Sequence, residues 1–105
     1  MNLMDSHQEY ELELKVLLAR HKIGFSADME GTDAFRGTAS GVGVSVAVSG
    51  AFSPDGHFSF PVEAKLPMGT FRVQVEGDVD GQGRVSGTVT ESGKRPMTIT
   101  GRRVR

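Results

Sequence analysis

Apolar and polar residues alternate along the first periodic stretch of the chain, residues 9–20. The apolar residues at every second position there are Tyr10, Leu12, Leu14, Val16 and Leu18. This period of two predicts a β-strand with one buried face. A helix is the alternative, because Ser6 and Glu9 have the spacing of a capping box and the stretch is rich in helix formers. On a helix, however, the apolar residues would form two opposite patches instead of one stripe, so we favour the strand.

The same alternation recurs between turn sequences along the rest of the chain. These turn sequences are Gly31-Thr32-Asp33, Ser53-Pro54-Asp55-Gly56, Pro67-Met68-Gly69, Asp80-Gly81 and Ser92-Gly93. We also expect a turn at Arg20-His21-Lys22. Connections this short exclude parallel crossovers, so the sequence predicts an all-β fold, an antiparallel meander of seven to eight strands closed or half-closed into a small barrel. Residues 1–105 are expected to form this single domain, with residues 1–8 as a flexible N-terminal segment.

The apolar positions change from odd to even residue numbers near Ser40-Gly41. Because a one-residue shift moves every side chain to the other face of a strand, this dipeptide forms either a tight hairpin turn or a bulge in one long strand. In residues 41–52 that follow, valines occupy one face. Small uncharged residues such as Ser45 and Ala47 occupy the other. Such a face invites association with another chain if it is exposed, and otherwise belongs to a covered central strand.

Glycine makes up 14 of the 105 residues, roughly twice its usual share of about 7%. Several glycines lie within strands, in phase with the apolar residues: Gly37, Gly50, Gly77, Gly87 and Gly101. They either allow the sheet to coil tightly or leave space inside the barrel. In the second case, aromatic side chains would form the wall of a cavity for a small apolar ligand. The candidate ligand-binding residues are Tyr10, Phe25, Phe52, Phe58, Phe60 and Phe71.

The composition excludes several classes of chemistry. With no cysteine, the chain has no disulfide, thiolate or cysteine-ligated metal site. A net charge of −1 gives no overall attraction to nucleic acid or anionic lipid, so any such binding must be local. No apolar run approaches the ~18 residues of a membrane span, and the N-terminus lacks the features of a signal peptide. We therefore expect a cytoplasmic protein.

Two sets of alternating polar residues resemble parts of reactive sites. Asp55, His57 and Ser59 have the residue types of a catalytic triad, but on one strand they point outward in parallel and do not converge. His7, Glu9 and Glu11 could contribute to a metal site, although an exposed acidic strand explains them as well. We accordingly expect no catalytic residues, no metal and no cofactor.

The charged residues are ordered along the chain, with acids first and bases last. The opening acids are Asp5, Glu9, Glu11 and Glu13, and the closing bases are Lys94, Arg95, Arg102, Arg103 and Arg105. We expect the first and last strands to be neighbours, with Glu11 and Glu13 facing Arg102 or Arg103. The bases could instead form a strip for nucleic-acid phosphates, although no aromatic residues interleave with them to stack on bases.

These observations favour a non-enzymatic barrel that binds a small apolar ligand or a partner protein and self-associates, as a homo-oligomer. One alternative is a small-barrel enzyme acting on an apolar substrate, for which Tyr10, His57 and Glu63 would be the first residues to test. Another is a nucleic-acid binder that uses the C-terminal arginine cluster.

Overall fold

The sheet of this protein closes on itself. A computed structural model describes residues 2–41, 43–67 and 69–105. Its strands are β1 (His7–Val16), β2 (Ala19–Glu30), β3 (Ala34–Gly41), β4 (Val44–Phe52), β5 (His57–Leu66), β6 (Gly69–Val79), β7 (Arg84–Thr90) and β8 (Met97–Arg103). Each strand pairs antiparallel with the next, and β8 pairs with β1. The predicted all-β meander is confirmed, with eight strands and a closed barrel.

The alternation of residues places one face of each strand inside the barrel. In β6, Val73, Val75 and Val79 point inward and are buried, whereas the polar residues between them are exposed. The buried core consists of Tyr10, Ala27, Phe35, Val48, Phe52, Phe58, Phe60, Val73, Val75, Val79, Val85, Val89 and Ile99. Closure removes this apolar surface from water and pairs both outer edges of the sheet at the same time.

Residues 9–20 form strands and not a helix, but the turn lies earlier than predicted. β1 and β2 are joined at Leu17–Leu18, with Val16 opposite Ala19. The prediction of a turn at Arg20-His21-Lys22 is therefore wrong, because these residues belong to β2 and pair with β1. The observed register places Leu12 opposite Ile23 and Tyr10 opposite Phe25, so the apolar faces of both strands coincide.

The change of phase near Ser40-Gly41 is a hairpin turn. β3 ends at Gly41, which pairs with Val44 at the start of β4. A two-residue turn separates them. Its first residue, Val42, lies outside the described residues, and its second, Gly43, has a φ of 75°. Positive φ is accessible to glycine without steric cost, so the turn forms two residues later than the dipeptide that was predicted to form it.

The inward glycines allow neighbouring strands to approach closely. A Cβ atom on Gly101 would lie 2.9 Å from Leu12 Cα on the adjacent strand, and one on Gly50 would lie 2.6 Å from the Ser59 carbonyl oxygen. Real Cβ atoms do not occupy such positions. These glycines therefore support tight coiling of the sheet, the first of the two interpretations.

The barrel has two different ends, which we name by their connections. The turns after β1, β3, β5 and β7 form the tip end. The turns after β2, β4 and β6, together with both chain termini, form the terminal end. The molecule measures 38 × 25 × 25 Å.

One seam of the barrel is paired less completely than the others. Over the described residues, β4 and β5 form ladder pairs only at Ala51–Ser59 and Phe52–Phe58, next to their connecting turn. β5 and β6, by contrast, pair from His57–Asp78 to Leu66–Gly69. Towards the tip end, no ladder pair joins β4 to β5 among the described residues.

Candidate functional site

Five of the six predicted ligand-binding residues surround one interior cavity. Tyr10, Phe25, Phe52, Phe58 and Phe60 lie in its wall. Phe71, the sixth, is half-buried against the core but does not line the cavity. The remaining wall residues are Leu12, Ala27, Phe35, Val75, Val79, Val85 and Ile99.

Phe60 occupies the centre of an aromatic cluster in this wall. Its ring centroid lies 5.2 Å from that of Phe35, 5.5 Å from that of Phe25 and 6.0 Å from that of Phe58. Phe35 is 2% exposed and was missed as a candidate ligand contact. Its signal in the sequence is the inward phase that it shares with Gly37 and Ala39, two residues too small to fill the space beside it.

The cavity is small and apolar. About 40 Å³ of it is open to the centre of a water-sized sphere. Among the described residues that line it, Tyr10 alone has a polar side-chain group, a hydroxyl that donates a hydrogen bond to Gln8 Oε1 at 2.6 Å. Because a buried water needs two to four polar partners, this space disfavours water and suits an apolar occupant.

The N-terminal segment packs against the core at the terminal end of the barrel, and we call this packing the seal. Gln8 is fully buried, and its Nε2 donates to the carbonyl oxygens of Leu3 at 2.6 Å and Asp5 at 3.1 Å. Leu3 packs against the core. Of residues 1–8, predicted to be a flexible segment, His7 and Gln8 belong to β1.

Arg103 secures the same seal from the other terminus. Its side chain is only 5% exposed and donates to Asp5 Oδ2 at 2.6 Å and to the Asn2 carbonyl oxygen at 2.6 Å. Burial raises the pKa of Tyr10, and the positive charge of Arg103 partly opposes that rise. The Tyr10 hydroxyl therefore remains a hydrogen-bond donor at neutral pH.

The residues considered for catalysis do not form a common site. His57 Nδ1 lies 3.2 Å from Asp78 Oδ1, while Ser59 Oγ accepts a hydrogen bond from Gln74 at 2.9 Å. Asp55 accepts hydrogen bonds from the Ser53 hydroxyl and the His57 backbone N–H, and these lower its pKa. His57 and Ser59 project from β5, whereas Asp55 lies in the turn before it and not, as predicted, on the same strand. The side chains of the three residues contact different groups and form no triad.

The second set of catalytic candidates is divided by the barrel wall. Tyr10 points into the interior, whereas Glu63 is exposed on the outer surface and accepts a hydrogen bond from Arg72 Nε at 2.9 Å. His57 is also exposed on the outer surface. The three side chains therefore share no site.

His7 lies between two carboxylates on the outer surface of the terminal end. Its Nδ1 is 2.7 Å from Asp28 Oδ1, and its Nε2 is 3.2 Å from Glu9 Oε2. The hydrogen bond with Asp28, followed by that with Glu9, raises the pKa of His7. Across the described ranges, no group of three or more His, Cys, Asp or Glu side chains has the arrangement of a metal site.

The first and last strands meet as predicted. Glu11 and Arg102 are cross-strand partners in β1 and β8, and their side chains approach to 3.5 Å. Glu13 differs from the expectation, because it pairs with Arg20 across the β1–β2 hairpin at 3.5 Å.

Charge is strongly polarised along the barrel axis. We define the tip half as residues 12–23, 39–47, 62–73 and 88–98, and the terminal half as the remainder. The tip half contains all four lysines and three arginines against three glutamates, a net charge of +4. The terminal half contains five arginines against six aspartates and four glutamates, a net charge of −5. The total of −1 conceals this separation.

This arrangement divides the C-terminal basic cluster between the two ends. Lys94 and Arg95 lie in the turn between β7 and β8 at the tip end, whereas the three arginines that close the chain lie at the terminal end. Those three contact carboxylates: Arg102 with Glu11, Arg103 with Asp5, and Arg105 with Glu9. The fold therefore does not bring the cluster into one basic strip.

The strands are the only regular elements in the part of the chain that the structure describes, and no helix there could span a bilayer. Comparisons with family models, with curated proteins and with solved structures find no match for this chain.

Proposed function

We propose that this chain is a binding module that takes a small apolar ligand into the barrel. The observation that supports the proposal is the unfilled cavity, whose wall consists of apolar side chains and of Tyr10 with its hydroxyl already bonded to Gln8. An apolar ligand gains roughly 25 cal/mol for each Å² of surface that it buries there. A polar ligand would lose its hydrogen bonds to water without replacement.

The ligand approaches from the tip end in this proposal. Several inward side chains of the tip half, such as Leu14, Val46 and Val62, are half-buried. In the terminal half most inward side chains are buried, with Phe25 and Met29 half-buried. The short ladder between β4 and β5 allows these strands to separate near the tip end without breaking backbone pairs there. An occupant of atomic size fits the cavity as it stands, and a larger one requires this separation.

Xenon is the probe that tests the proposal most directly, because it binds dry apolar cavities. In NMR spectra of the methyl groups, we expect saturable shifts at residues of the cavity wall such as Val75, Val85 and Ile99. Outward methyl groups, such as that of Ala47, provide the reference. Uniform shifts, or none, would contradict the proposal.

A pair of variants gives a matched comparison. Phe60→Leu enlarges the cavity at its centre, so we expect it to bind benzene more tightly than the natural chain does. Phe71→Leu removes the same atoms from a half-buried side chain outside the cavity wall, and we expect no gain in benzene affinity. Equal affinities in the two variants would indicate that the cavity is not the binding site.

Self-association is a second candidate, supported by the outer face of β4. Ser45, Ala47 and Ser49 are exposed there, and the neighbouring seam with β5 has few backbone pairs. A small, uncharged face next to an incompletely paired edge is suited to contact between copies. Light scattering should show mass increasing with concentration. Ala47→Lys should abolish the increase. Thr88→Lys, at an exposed position on the outer face of β7, should leave it unchanged.

A further inference from the structure

The tip end exposes apolar side chains that nothing in the fold requires to be exposed. Leu17 is 90% exposed and Leu18 is 99% exposed at the turn between β1 and β2. Val44, at the next turn at this end, is 43% exposed, and Pro67 is exposed at the one after it. Pro96, in the turn after β7, is exposed as well, so all four hairpin turns at this end present apolar groups to their surroundings.

The leucine turn also has an unfavourable backbone. Leu17 has a φ of 56°, and it is the one non-glycine residue with positive φ among the residues that the structure describes. Two-residue hairpin turns favour Asn or Gly at such a position, because a side chain crowds the backbone there. Leucine at this position is therefore unfavourable for both solvation and local conformation, and the stability of the barrel does not explain it.

Basic side chains without ion-pair partners surround these turns. Each glutamate of the tip half is engaged: Glu13 with Arg20, Glu63 with Arg72, and Glu91 with Lys94. Within residues 2–41, 43–67 and 69–105, the cations that contact no carboxylate in this half are Lys15, Lys22, Lys65 and Arg95. The net charge of +4 is thus carried by unpaired groups.

We propose that the tip end docks onto the surface of an anionic lipid bilayer, with Leu17 and Leu18 inserted below the headgroups and the unpaired cations facing lipid phosphates and carboxylates. Each component matches a component of that surface. Exposed leucines gain the burial that they lack in water, and lysines and arginines near an anionic leaflet are attracted to its negative surface potential.

The acidic terminal end of a second copy is the competing partner of opposite charge. Most of its inward apolar side chains are buried, and Gln8 and Arg103 pack at the end of the barrel beside them. It therefore offers no recess that could receive two fully exposed leucines. A nucleic acid likewise offers phosphates but no apolar layer. Of these three partners, the bilayer supplies both parts, and the proposal does not depend on whether the interior cavity holds a ligand.

Co-sedimentation of the full chain with lipid vesicles tests the docking. We expect binding to vesicles of phosphatidylcholine mixed with phosphatidylserine, weak binding to phosphatidylcholine alone, and loss of binding as salt is raised. The double variant Leu17→Ser with Leu18→Ser should lower the partition coefficient at least about tenfold. Serine has almost no apolar surface to bury in the bilayer, so the gain that each leucine provides is lost.

Charge-reversal variants separate a local effect from a change in net charge. Lys65→Glu with Arg95→Glu, at two of the unpaired cations, should reduce binding about tenfold or more, because each substitution replaces an attraction to anionic lipid by a repulsion. The control is Arg84→Glu with Arg102→Glu, two cross-strand partners in the terminal half. It changes the net charge by the same amount and should leave binding within about twofold, because those residues lie beyond the screening length from the membrane.

A single tryptophan reports the orientation, since the chain contains none. Leu18→Trp should show a blue-shifted emission with anionic vesicles and quenching by brominated acyl chains. Val104→Trp, at a position 48% exposed at the terminal end, should show neither.

Three results would overturn the proposal. Equal binding to neutral and anionic vesicles would remove the role of the cations. Full binding by the serine double variant would remove the role of the leucines. Absence of vesicle binding together with self-association that depends on Leu17 and Leu18 would assign the tip end to a second copy of the chain. Xenon binding by the serine double variant should be unchanged, so that failure of membrane docking can be told apart from failure of ligand binding in the cavity.

Discussion

The two ends of the barrel consist of similar hairpins but use their side chains differently. At the terminal end, acidic residues complete turns: Asp80 accepts hydrogen bonds from the backbone N–H groups of Gln82 at 2.8 Å and Arg84 at 2.9 Å, which lower its pKa. Gln8 and Arg103 fill the remaining space. At the tip end, Leu17 and Leu18 contact nothing that would bury them. One end is closed by its own side chains, and the other leaves apolar side chains exposed.

This difference indicates where stability and binding reside. Residues whose polar groups are hydrogen-bonded and whose apolar groups are buried need no further partner. Residues with an unfavourable backbone conformation or exposed apolar surface, and no gain in packing, are the ones expected at functional positions. The comparison therefore predicts that substitutions in the terminal half lower the free energy of unfolding. Substitutions at the tip end should lower binding and leave that free energy unchanged or raise it.

The largest expected effect is in the core of the terminal half. Phe35→Ala should reduce the free energy of unfolding by about 3–5 kcal/mol, because it removes a buried ring that packs on Phe25 and Phe60. Phe71→Ala, which removes a half-buried ring from the tip half, should cost less than about half as much. Urea denaturation measures both. Equal losses would show that the two halves contribute alike to stability.

The seal at the terminal end provides the next comparison. Gln8→Leu should cost about 1–3 kcal/mol, because it leaves the buried Tyr10 hydroxyl and two carbonyl groups without their partner. The same substitution at Gln74, an exposed residue that donates to Ser59, should change stability by less than about 0.5 kcal/mol. A stable Gln8→Leu protein would mean that the seal is not required for the fold.

The tip end should respond in the opposite direction. Leu17→Gly should raise the free energy of unfolding by about 1 kcal/mol, since glycine adopts positive φ without strain. Leu18→Gly should not, because Leu18 lacks that conformation. Thermal unfolding compares them directly. We also expect Leu17→Gly to weaken vesicle binding, so that a gain in stability accompanies a loss of function.

The fold followed from the sequence because the period-two signal is local and repeats eight times. Turn positions depended on register, which is a property of strand pairs. The sequence Arg20-His21-Lys22 looks polar enough for a turn, yet the turn at Leu17–Leu18 is the one that aligns Leu12 with Ile23. The adjacent leucines interrupt the alternation, and that interruption was the available signal.

The candidate site followed from the sequence only in part, for a related reason. Aromatic residues in the inward phase must lie inside a barrel, so five of the six candidates reached the cavity wall. The polarity of the barrel could not be derived from linear charge order. It arises because successive hairpin turns alternate between ends, which gathers lysines at positions 15, 22, 65 and 94 into one half.

The smallest expected effect concerns pH and belongs to the terminal half. The pKa of His7 is raised in the folded protein, chiefly by its hydrogen bond with Asp28. A raised folded pKa means that the folded state binds the proton more tightly than the unfolded state does. The resulting stabilisation is complete below the unfolded pKa of about 6.5 and is lost as the pH rises through the folded value.

Stability should therefore decline slightly as the pH is raised from about 6.5 through that higher value. Denaturation curves across this range should show the decline in the natural chain and a smaller decline in His7→Gln. Asp28→Asn should reduce the decline by a smaller amount, because the hydrogen bond of His7 with Glu9 remains, and adding it to His7→Gln should change nothing further. Leu17→Gly should leave the decline intact, since the turn it alters lies at the opposite end from His7. A decline that persists unchanged in His7→Gln would assign it to other groups and would separate the pH response from the terminal end.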